Sequence, residues 1–333
     1  MPRSVGLVSV TPGEGGYTRR RAGKGFTYQG ANGRRITDEK ILERIRALVI
    51  PPAWTDVWIA REEKAHIQAT GVDEAGRTQY LYHPDWRRKQ DAAKFEKSLA
   101  FAATLPALRS AVTKDLKAPT GKRKHDDGPR RRALAAAVRL MDKGSLRVGG
   151  SEQKGQLEAF GASTLQRRHV EVDAPHVHLS FRGKSASEWD LVLKDAALAQ
   201  FFSEAPQTPR TAPAVCYPVQ NGRRREWKGV SAQDINDYLT EIAGLEFTAK
   251  DFRTWQGTLA AARSLARALQ SGSSSPEAVK VAVEAAAELL HNTPTVAREA
   301  YINPRVIDLF EQGKVVELRG QPDQALLKLL GGD

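Results

Sequence analysis

The sequence contains very little cysteine. One cysteine, Cys216, occurs among 333 residues, so no disulfide can form within the chain, and a reducing compartment suits such a protein. No window approaches the run of about 18 apolar residues that a membrane-spanning helix requires. The first residues also lack the apolar core of a signal peptide. We therefore expect a cytoplasmic protein that does not contact a membrane.

The sequence also lacks the motifs of nucleotide and metal sites. The phosphate-binding pattern Gly-x4-Gly-Lys-Ser/Thr is absent, which argues against the use of ATP. His169, His176 and His178 could suggest a metal site, but no acidic or cysteine partner stands at ligand spacing, so we interpret them as strand residues. We expect no metal, no cofactor and no small-molecule substrate.

What the sequence has in excess is positive charge. It carries 51 Lys and Arg against 39 Asp and Glu, a net charge of +12. Phosphate contacts supply most of the sequence-independent affinity for nucleic acids, so this excess favours a polyanionic partner such as double-stranded DNA. Hydrophobic residues make up 41% of the chain, which is enough for packed cores, and the length suits about two domains.

The first 90 residues predict a small, mainly β domain. Residues 1–20 are glycine-rich and basic and are interpreted as a loose arm. A capping pattern at residues 37–40 predicts a helix that ends before Pro51. Residues 67–83 predict two strands joined by a turn at 73–76, with Tyr80 and Tyr82 on one face of the second strand.

Residues 91–333 predict a larger, mainly α domain with a small sheet. Residues 91–116 predict one or two helices interrupted at Pro106, and alternating apolar residues over 170–193 predict a three-stranded meander. A proline-rich stretch, residues 205–218, is expected to lead into helices again, with no strands foreseen there. Helix-start signals stand at Ser231, Thr248 and Thr293. The predicted fold class is α+β, with domains at 1–90 and 91–333.

Five residues of this second part suggest a reaction at a phosphodiester. They are Arg147, Lys184, Arg253, Asn292 and Tyr301. A tyrosine that attacks phosphorus forms a covalent phosphotyrosyl intermediate. Arginines stabilise the negative charge of the transition state by donating two hydrogen bonds each, and an amide adds a further hydrogen bond. A lysine with a lowered pKa can protonate the departing oxygen.

These residues stand in segments that resemble the compact type IB DNA topoisomerases of bacteria, which are similar in plan to the poxvirus enzymes. The resemblance runs from about residue 24 to residue 310. The matching segments are residues 68–83, 146–149, 160–165, 178–184, 250–255 and 292–302. Each motif alone is moderately specific, and their common order makes the set strong.

The resemblance implies a role for each candidate residue. Tyr301 would be the nucleophile that becomes joined to a DNA 3′-phosphate, and Lys184 the general acid for the 5′-oxygen, helped by Arg147. Arg147 and Arg253 would clamp the scissile phosphate, with Asn292 as a further donor. Three strand residues would contact DNA: Gln79, Tyr80 and Tyr82.

The resemblance also implies the behaviour of the whole molecule. We expect a two-lobed clamp, with DNA between its lobes. It would act as a monomer at the nucleoid, relaxing supercoils by transient single-strand cleavage, strand rotation and religation without ATP or metal.

The sequence departs from the family pattern in three places. The segment 149–155 lacks the Asn-Glu pair and the tyrosine expected there, and the basic run 121–132 is unusual. Asn292 stands where many relatives have histidine, although bacterial members often have asparagine. The first two departures could alter DNA contacts near Arg147.

Two alternatives remain at this point. A site-specific tyrosine recombinase would share the catalytic set, but a His-x-x-Arg arrangement is expected there and position 250 is lysine. A non-catalytic basic DNA-binding protein would explain the net charge and the two strand tyrosines. It would not explain the ordered set of five residues.

Overall fold

The computed structural model describes residues 6–118, 127–149, 159–206, 209–221, 224–244, 246–273 and 275–332. The chain divides into two compact units, Met1–Phe95 and Glu96–Asp333. The first unit is mainly β and the second is mainly α, which confirms the predicted fold class.

An antiparallel sheet and a helix form the first unit. The strands are β1 (Tyr17–Ala22), β2 (Gly25–Gln29), β3 (Thr55–Ile59), β4 (Ile67–Val72) and β5 (Thr78–Tyr82), in the order β2-β1-β3-β4-β5. The helix α1 (Glu39–Ala47) starts where the sequence predicted, because the Asp38 carboxylate accepts a hydrogen bond from the Lys40 N–H at 2.9 Å. Its Ile45 is buried with Ile59 and Ala69 of the sheet.

The interpretation of residues 1–20 as a loose arm is wrong over much of its length. Val8 pairs with Ala65, and its N–H donates to the Lys64 carbonyl at 2.8 Å. β1 then begins at Tyr17. Glycine is needed at position 16, just before β1, because a Cβ there would collide with the Trp58 side chain. Residues 1–5 lie outside the described part of the chain.

The predicted hairpin of β4 and β5 is confirmed. Asp73 closes the turn, with its carboxylate accepting from the N–H groups of Ala75 and Arg77, each at 2.9 Å. Tyr80 and Tyr82 share one face of β5, as alternation requires, and their rings stack with centroids 5.9 Å apart. β5 lies at the edge of the sheet.

Helices make up most of the second unit. The remaining helices are α2 (Pro84–Lys117), α3 (Gly128–Gly144), α4 (Ala196–Glu204), α5 (Ala232–Ala243), α6 (Ala249–Gln270), α7 (Pro276–Leu290), α8 (Pro294–Ala300), α9 (Arg305–Glu311) and α10 (Pro322–Gly331). The division between the units falls inside α2. The helix starts predicted at Ser231, Thr248 and Thr293 are confirmed as the N-caps of α5, α6 and α8.

The core of the second unit is centred on α3 and a three-stranded sheet. The sheet contains β6 (Val170–Asp173), β7 (His176–Arg182) and β8 (Glu188–Lys194) in chain order, which confirms the predicted meander. Val177, Leu179 and Phe181 of β7 are buried at alternate positions. Residues 133–137 of α3, four alanines and Leu134, are all buried, and the small alanine side chains let neighbouring elements approach closely.

The predicted interruption at Pro106 is wrong. α2 runs through Pro106 without a break. A proline inside a helix loses one main-chain hydrogen bond and costs about 3 kcal/mol. Phe101, Leu105 and Leu108 are buried on both sides of it in the main core. Burial of these side chains offsets the local cost and keeps the helix continuous.

The proline-rich stretch does not lead directly into helices, and this prediction is also wrong. A hairpin intervenes, formed by β9 (Cys216–Asn221) and β10 (Arg224–Gly229). The missed signal is the glycine that follows Asn221 in the sequence, because Asn-Gly is typical of tight hairpin turns. Pro218 is tolerated because a two-stranded sheet consists of edges.

Part of the basic run 121–132 is described, and there the arginines are paired. Arg130 contacts Asp234 at 2.8 Å, and Arg131 contacts Asp115 at 3.0 Å. Residues 119–126 and 150–158 lie outside the described residues, and so do most of the departures noted in the sequence. Within the described ranges, no helix combines the length and the apolar character needed to cross a membrane.

Candidate active site

Arg253 is held inside the second unit by the start of α6. A capping box between Thr248 and Asp251 fixes this helix start, and the Thr248 N–H donates to the Asp251 carboxylate at 2.7 Å. Arg253 follows in the same turn and is 2% exposed. Its guanidinium donates to the carbonyls of Ser145 and Leu290, the latter at 2.7 Å. The Nε atom is buried and has no hydrogen-bond partner among the described residues.

Arg147 lies just beyond the end of α3, outside any helix or strand. Ser145 caps the end of this helix in a left-handed conformation with φ 55°. The Arg147 carbonyl accepts from the Ala162 N–H at 2.9 Å. A Cβ at Gly161 would lie 2.7 Å from that carbonyl oxygen, so glycine is needed where the two segments approach. The main chain of Arg147 is therefore fixed by its neighbours.

Tyr301 is the first residue after the short helix α8. The Thr293 side chain caps this helix by accepting from the Val296 N–H at 3.3 Å. The Tyr301 carbonyl accepts from the Thr258 hydroxyl of α6 at 3.0 Å. Gly257 lies beside it, and a Cβ there would be 3.0 Å from the Tyr301 Cβ. The close approach to α6 leaves Tyr301 6% exposed.

These elements bring four of the five candidate residues together. Arg147 Nη1 lies 3.3 Å from the Tyr301 hydroxyl oxygen, and Arg147 Nη2 donates to Asn292 Oδ1 at 2.7 Å. The Arg253 guanidinium carbon lies 5.1 Å from the centroid of the Tyr301 ring. The Asn292 Nδ2 atom is buried without a hydrogen-bond partner among the described residues.

The charges of the cluster act on the Tyr301 phenol. Burial by itself raises the pKa of Tyr301, but the positive charges of Arg253 and Arg147 outweigh burial and hold its pKa below the ordinary value. Burial, followed by repulsion from Arg147, lowers the pKa of Arg253 to about 10. Arg253 therefore remains protonated at neutral pH, and the site favours a negatively charged group.

Lys184 is not part of this contact cluster. It lies in the turn between β7 and β8, as predicted, and its side chain is exposed. No hydrogen bond or ion pair joins its Nζ atom to the other four candidates in the described part of the chain. Its turn does approach the segment of Asn292 through Trp189 and His291, whose rings stack with centroids 3.8 Å apart.

The three predicted DNA-contact residues lie in the first unit. Tyr80 is 42% exposed and Tyr82 is 37% exposed, so their stacked rings are accessible. The Gln79 side chain is engaged within its own hairpin, because its Nε2 donates to the Asp73 carboxylate at 2.8 Å. Gln79 therefore supports the turn in this structure, while the two tyrosines present a flat aromatic surface.

Sequence reasoning missed the residues that hold the cluster in place. Thr258 accepts from the Asn303 N–H at 3.0 Å and donates to the Tyr301 carbonyl at the same distance, so it fixes both residues. Gly257 and Thr258 follow Arg253 on α6, but no local pattern marks them as neighbours of Tyr301. Trp189 and His291 are likewise far apart in sequence.

The mainly α unit with a buried tyrosine beside two arginines points to an enzyme rather than to a passive binding module, because buried cations and unpaired donors are costly without a ligand. A family model described as the catalytic core of eukaryotic DNA topoisomerase I matches residues 83–308. A model of the N-terminal domain of bacterial DNA topoisomerase IB matches residues 25–73. The chain belongs to the type IB DNA topoisomerase family, which confirms the resemblance.

Individual relatives agree with this assignment. DNA topoisomerase 1B of Acanthamoeba polyphaga mimivirus is 25% identical over 323 residues, which cover 95% of this chain and 94% of the relative. DNA topoisomerase 1 of Mycosarcoma maydis is 24% identical over 232 residues, covering 63% of this chain and 22% of the relative. DNA topoisomerase 1 beta of Arabidopsis thaliana is 26% identical over 210 residues, covering 60% and 20%.

Proposed function

We propose that this protein relaxes supercoiled double-stranded DNA in the cytoplasm by cutting and resealing one strand through Tyr301. The observation that carries the proposal is the buried Tyr301 hydroxyl, 3.3 Å from Arg147 Nη1 and beside Arg253. A phenol with a pKa below its ordinary value is a better nucleophile near neutral pH. Family membership supports the same reaction.

In the proposed cleavage step, Tyr301 releases its phenolic proton to solvent, its Oη forms a bond to phosphorus, and the bond from phosphorus to the 5′-oxygen breaks. Arg147 and Arg253 would hold the non-bridging oxygens, where negative charge develops. Arg253 Nε and Asn292 Nδ2 have no hydrogen-bond partner within the described ranges, and phosphate oxygens accept from donors of this kind. Lys184 would transfer a proton to the 5′-oxygen as it leaves.

Religation is the same step in reverse. The 5′-hydroxyl oxygen attacks phosphorus and gives its proton to Lys184, while the bond from phosphorus to Tyr301 Oη breaks and releases the phenolate, so no external energy source is consumed. Between the two steps, the cut duplex rotates about the intact strand and supercoils relax. We propose that a monomer carries out this cycle without ATP or metal, with Tyr80, Tyr82 and Gln79 contacting the DNA.

Covalent trapping tests the proposal. A duplex labelled at the 5′ end of the cleaved strand is incubated with the protein and denatured with detergent. We expect a labelled protein adduct with the wild type and none with Tyr301→Phe. Tyr28→Phe, a change of the same kind in the sheet of the first unit, is the matched control and should form the adduct.

The polarity of the adduct is tested in the same way. A label at the 3′ end of the cleaved strand should leave with the free 5′-hydroxyl fragment and not with the protein. An adduct formed by Tyr301→Phe, or one that carries the 3′ label, would contradict the proposal.

A further inference from the structure

Two aromatic side chains connect the turn of Lys184 to the segment of Asn292. Trp189 lies near the start of β8 and is 5% exposed. Its indole stacks on His291, with centroids 3.8 Å apart and planes 22° from parallel. His291 follows α7 in a left-handed conformation with φ 46° and directly precedes Asn292. The stack therefore joins two segments that each carry a candidate catalytic residue.

The other contacts of Trp189 secure the indole on the β7–β8 hairpin. It pairs with Phe181 of β7 across the sheet, and their rings stack at 5.5 Å. A Cβ at Gly183 would lie 2.5 Å from Trp189 Nε1, so the indole rests against the main chain of the residue that precedes Lys184.

The turn of Lys184 needs such support. Ser185 and Ala186 have φ values of 60° and 59°, a left-handed conformation that costs energy for residues other than glycine. Two hydrogen bonds close the turn, from the Gly183 N–H to the Ser187 carbonyl at 2.7 Å and from the Ser187 hydroxyl to the Lys184 carbonyl at 3.0 Å. The Lys184 side chain is exposed, so the path of this turn sets where its ammonium group can reach.

We propose that Trp189 and His291 are a positioning pair, which holds the Lys184 turn against the Asn292 segment so that the ammonium group meets the leaving 5′-oxygen. This inference rests on the proposed function, in which Lys184 protonates that oxygen. Neither ring contacts the reacting atoms in this role. Losing the stack would leave the phosphate clamp of Arg147 and Arg253 in place and impair proton delivery.

Changing the leaving atom distinguishes a defect in proton delivery from any other defect that slows cleavage. A thiol is far more acidic than an alcohol, so a thiolate leaves without protonation. Single-turnover cleavage is therefore measured on two duplexes, one with the natural 5′-oxygen at the scissile position and one with sulfur in its place. A defect in proton delivery slows the oxygen substrate and disappears on the sulfur substrate.

Three variants probe the pair. His291→Gly removes the ring and suits the left-handed conformation, so it does not strain the main chain. Gly183→Ala displaces the indole from the turn. Trp189→Phe keeps an aromatic ring in the stack and is the conservative control. Lys184→Ala serves as the reference for complete loss of the acid, and thermal unfolding checks that each variant is folded.

We expect His291→Gly and Gly183→Ala to slow cleavage of the oxygen substrate by on the order of 10²-fold, the scale of a misplaced catalytic group. They should cleave the sulfur substrate at the wild-type rate, as Lys184→Ala should. Trp189→Phe should keep most of the activity on the oxygen substrate.

Equal slowing of both substrates by His291→Gly, or slowing of neither, would overturn the positioning role. Equal slowing by Lys184→Ala would show that Lys184 is not the acid, and the pair would then have no acid to position. If the wild type forms no adduct with either duplex, the proposed function itself fails, and this result is distinct from the other two.

Discussion

Burial and nearby positive charge have opposite effects on the pKa of the Tyr301 phenol. Burial disfavours the phenolate, whereas the guanidiniums of Arg253 and Arg147 stabilise it and prevail, so the pKa of Tyr301 lies below its ordinary value. We expect loss of either arginine alone to change the pKa of Tyr301, because the two contact different parts of the side chain. Arg147 approaches the hydroxyl oxygen and Arg253 approaches the ring.

We expect the pH dependence of Tyr301 to follow from this arrangement. Ultraviolet titration of the wild type minus Tyr301→Phe should show a phenol that ionises below the ordinary value of about 10, and Arg147→Ala should raise that pKa. The stability that the phenolate contributes is fully present above about pH 10 and is lost as pH falls through the lowered pKa. A Tyr301 pKa above the ordinary value would contradict this electrostatic account.

Replacement of Arg147 or Arg253 should greatly reduce the rate of DNA relaxation. We expect Arg147→Ala and Arg253→Ala each to reduce the relaxation rate by about 10²–10³-fold, the effect of losing one transition-state donor. Arg298→Ala, which changes an exposed arginine of α8, is the matched control and should relax DNA like the wild type. Near wild-type relaxation by either site variant would refute the role given to that arginine.

The contact between α6 and Tyr301 depends on the absence of a side chain at Gly257. A Cβ there would lie 2.9 Å from Leu290 Cδ1 and 3.0 Å from the Tyr301 Cβ. We expect Gly257→Ala to push the tyrosine away and to reduce relaxation by about 10²-fold, the scale of a small misplacement, while the protein stays folded. Gly331→Ala, in open space near the end of α10, is the control and should have no effect on activity.

A buried carboxylate fixes α4 to α3. Asp195 caps α4 and contacts Lys143 Nζ at 2.8 Å and Arg139 Nη1 at 3.2 Å. Burial raises its pKa, but these cations and the helix N–H groups prevail and hold its pKa below the ordinary value. The stability that it contributes is therefore present above about pH 4 and is lost as pH falls through the lowered pKa.

We expect Asp195→Ala to lower the free energy of unfolding at neutral pH by about 3–5 kcal/mol, because it removes the buried carboxylate that pairs with the largely buried Arg139. The difference from the wild type should shrink in acid. Asp195→Asn, which keeps an acceptor for the cap, should lose less. Chemical denaturation across pH measures all three, and a difference that stays constant down to low pH would contradict the assignment to charge.

The sequence predicted those helix starts and turns that depend only on residues close together in the chain. The capping patterns at Asp38, Ser231 and Thr248 and the hairpin turn at Asp73 are recorded within a few residues of sequence. The continuity of α2 through Pro106 was not predictable in this way, because it depends on burial against distant residues. The same is true of the pairing of Val8 with Ala65.

In the candidate site, too, the sequence predicted the reacting residues but not the contacts between distant segments that support them. The residue types and their order predicted a phosphodiester chemistry, and the fold brings Arg147, Arg253, Asn292 and Tyr301 together. The stack of Trp189 on His291 and the contact of Gly257 with Tyr301 join segments that are far apart in sequence. Only the tertiary structure reveals which residues support the site.

At the scale of the whole molecule, the net charge of +12 and the two units are consistent with a protein that acts on DNA. The domain boundary at residue 90, the monomeric state and the location at the nucleoid stay predictions. The central proposal for the molecule is that Tyr301 cuts and reseals a DNA strand without another source of energy.

Relaxation of a negatively supercoiled plasmid tests this claim most directly. The assay contains EDTA and no ATP, and it compares the wild type with Tyr301→Phe at equal protein concentrations. We expect the wild type to convert the plasmid to relaxed topoisomers and Tyr301→Phe to leave it supercoiled while still binding it. Relaxation by both proteins, or by neither while binding is intact, would contradict the account.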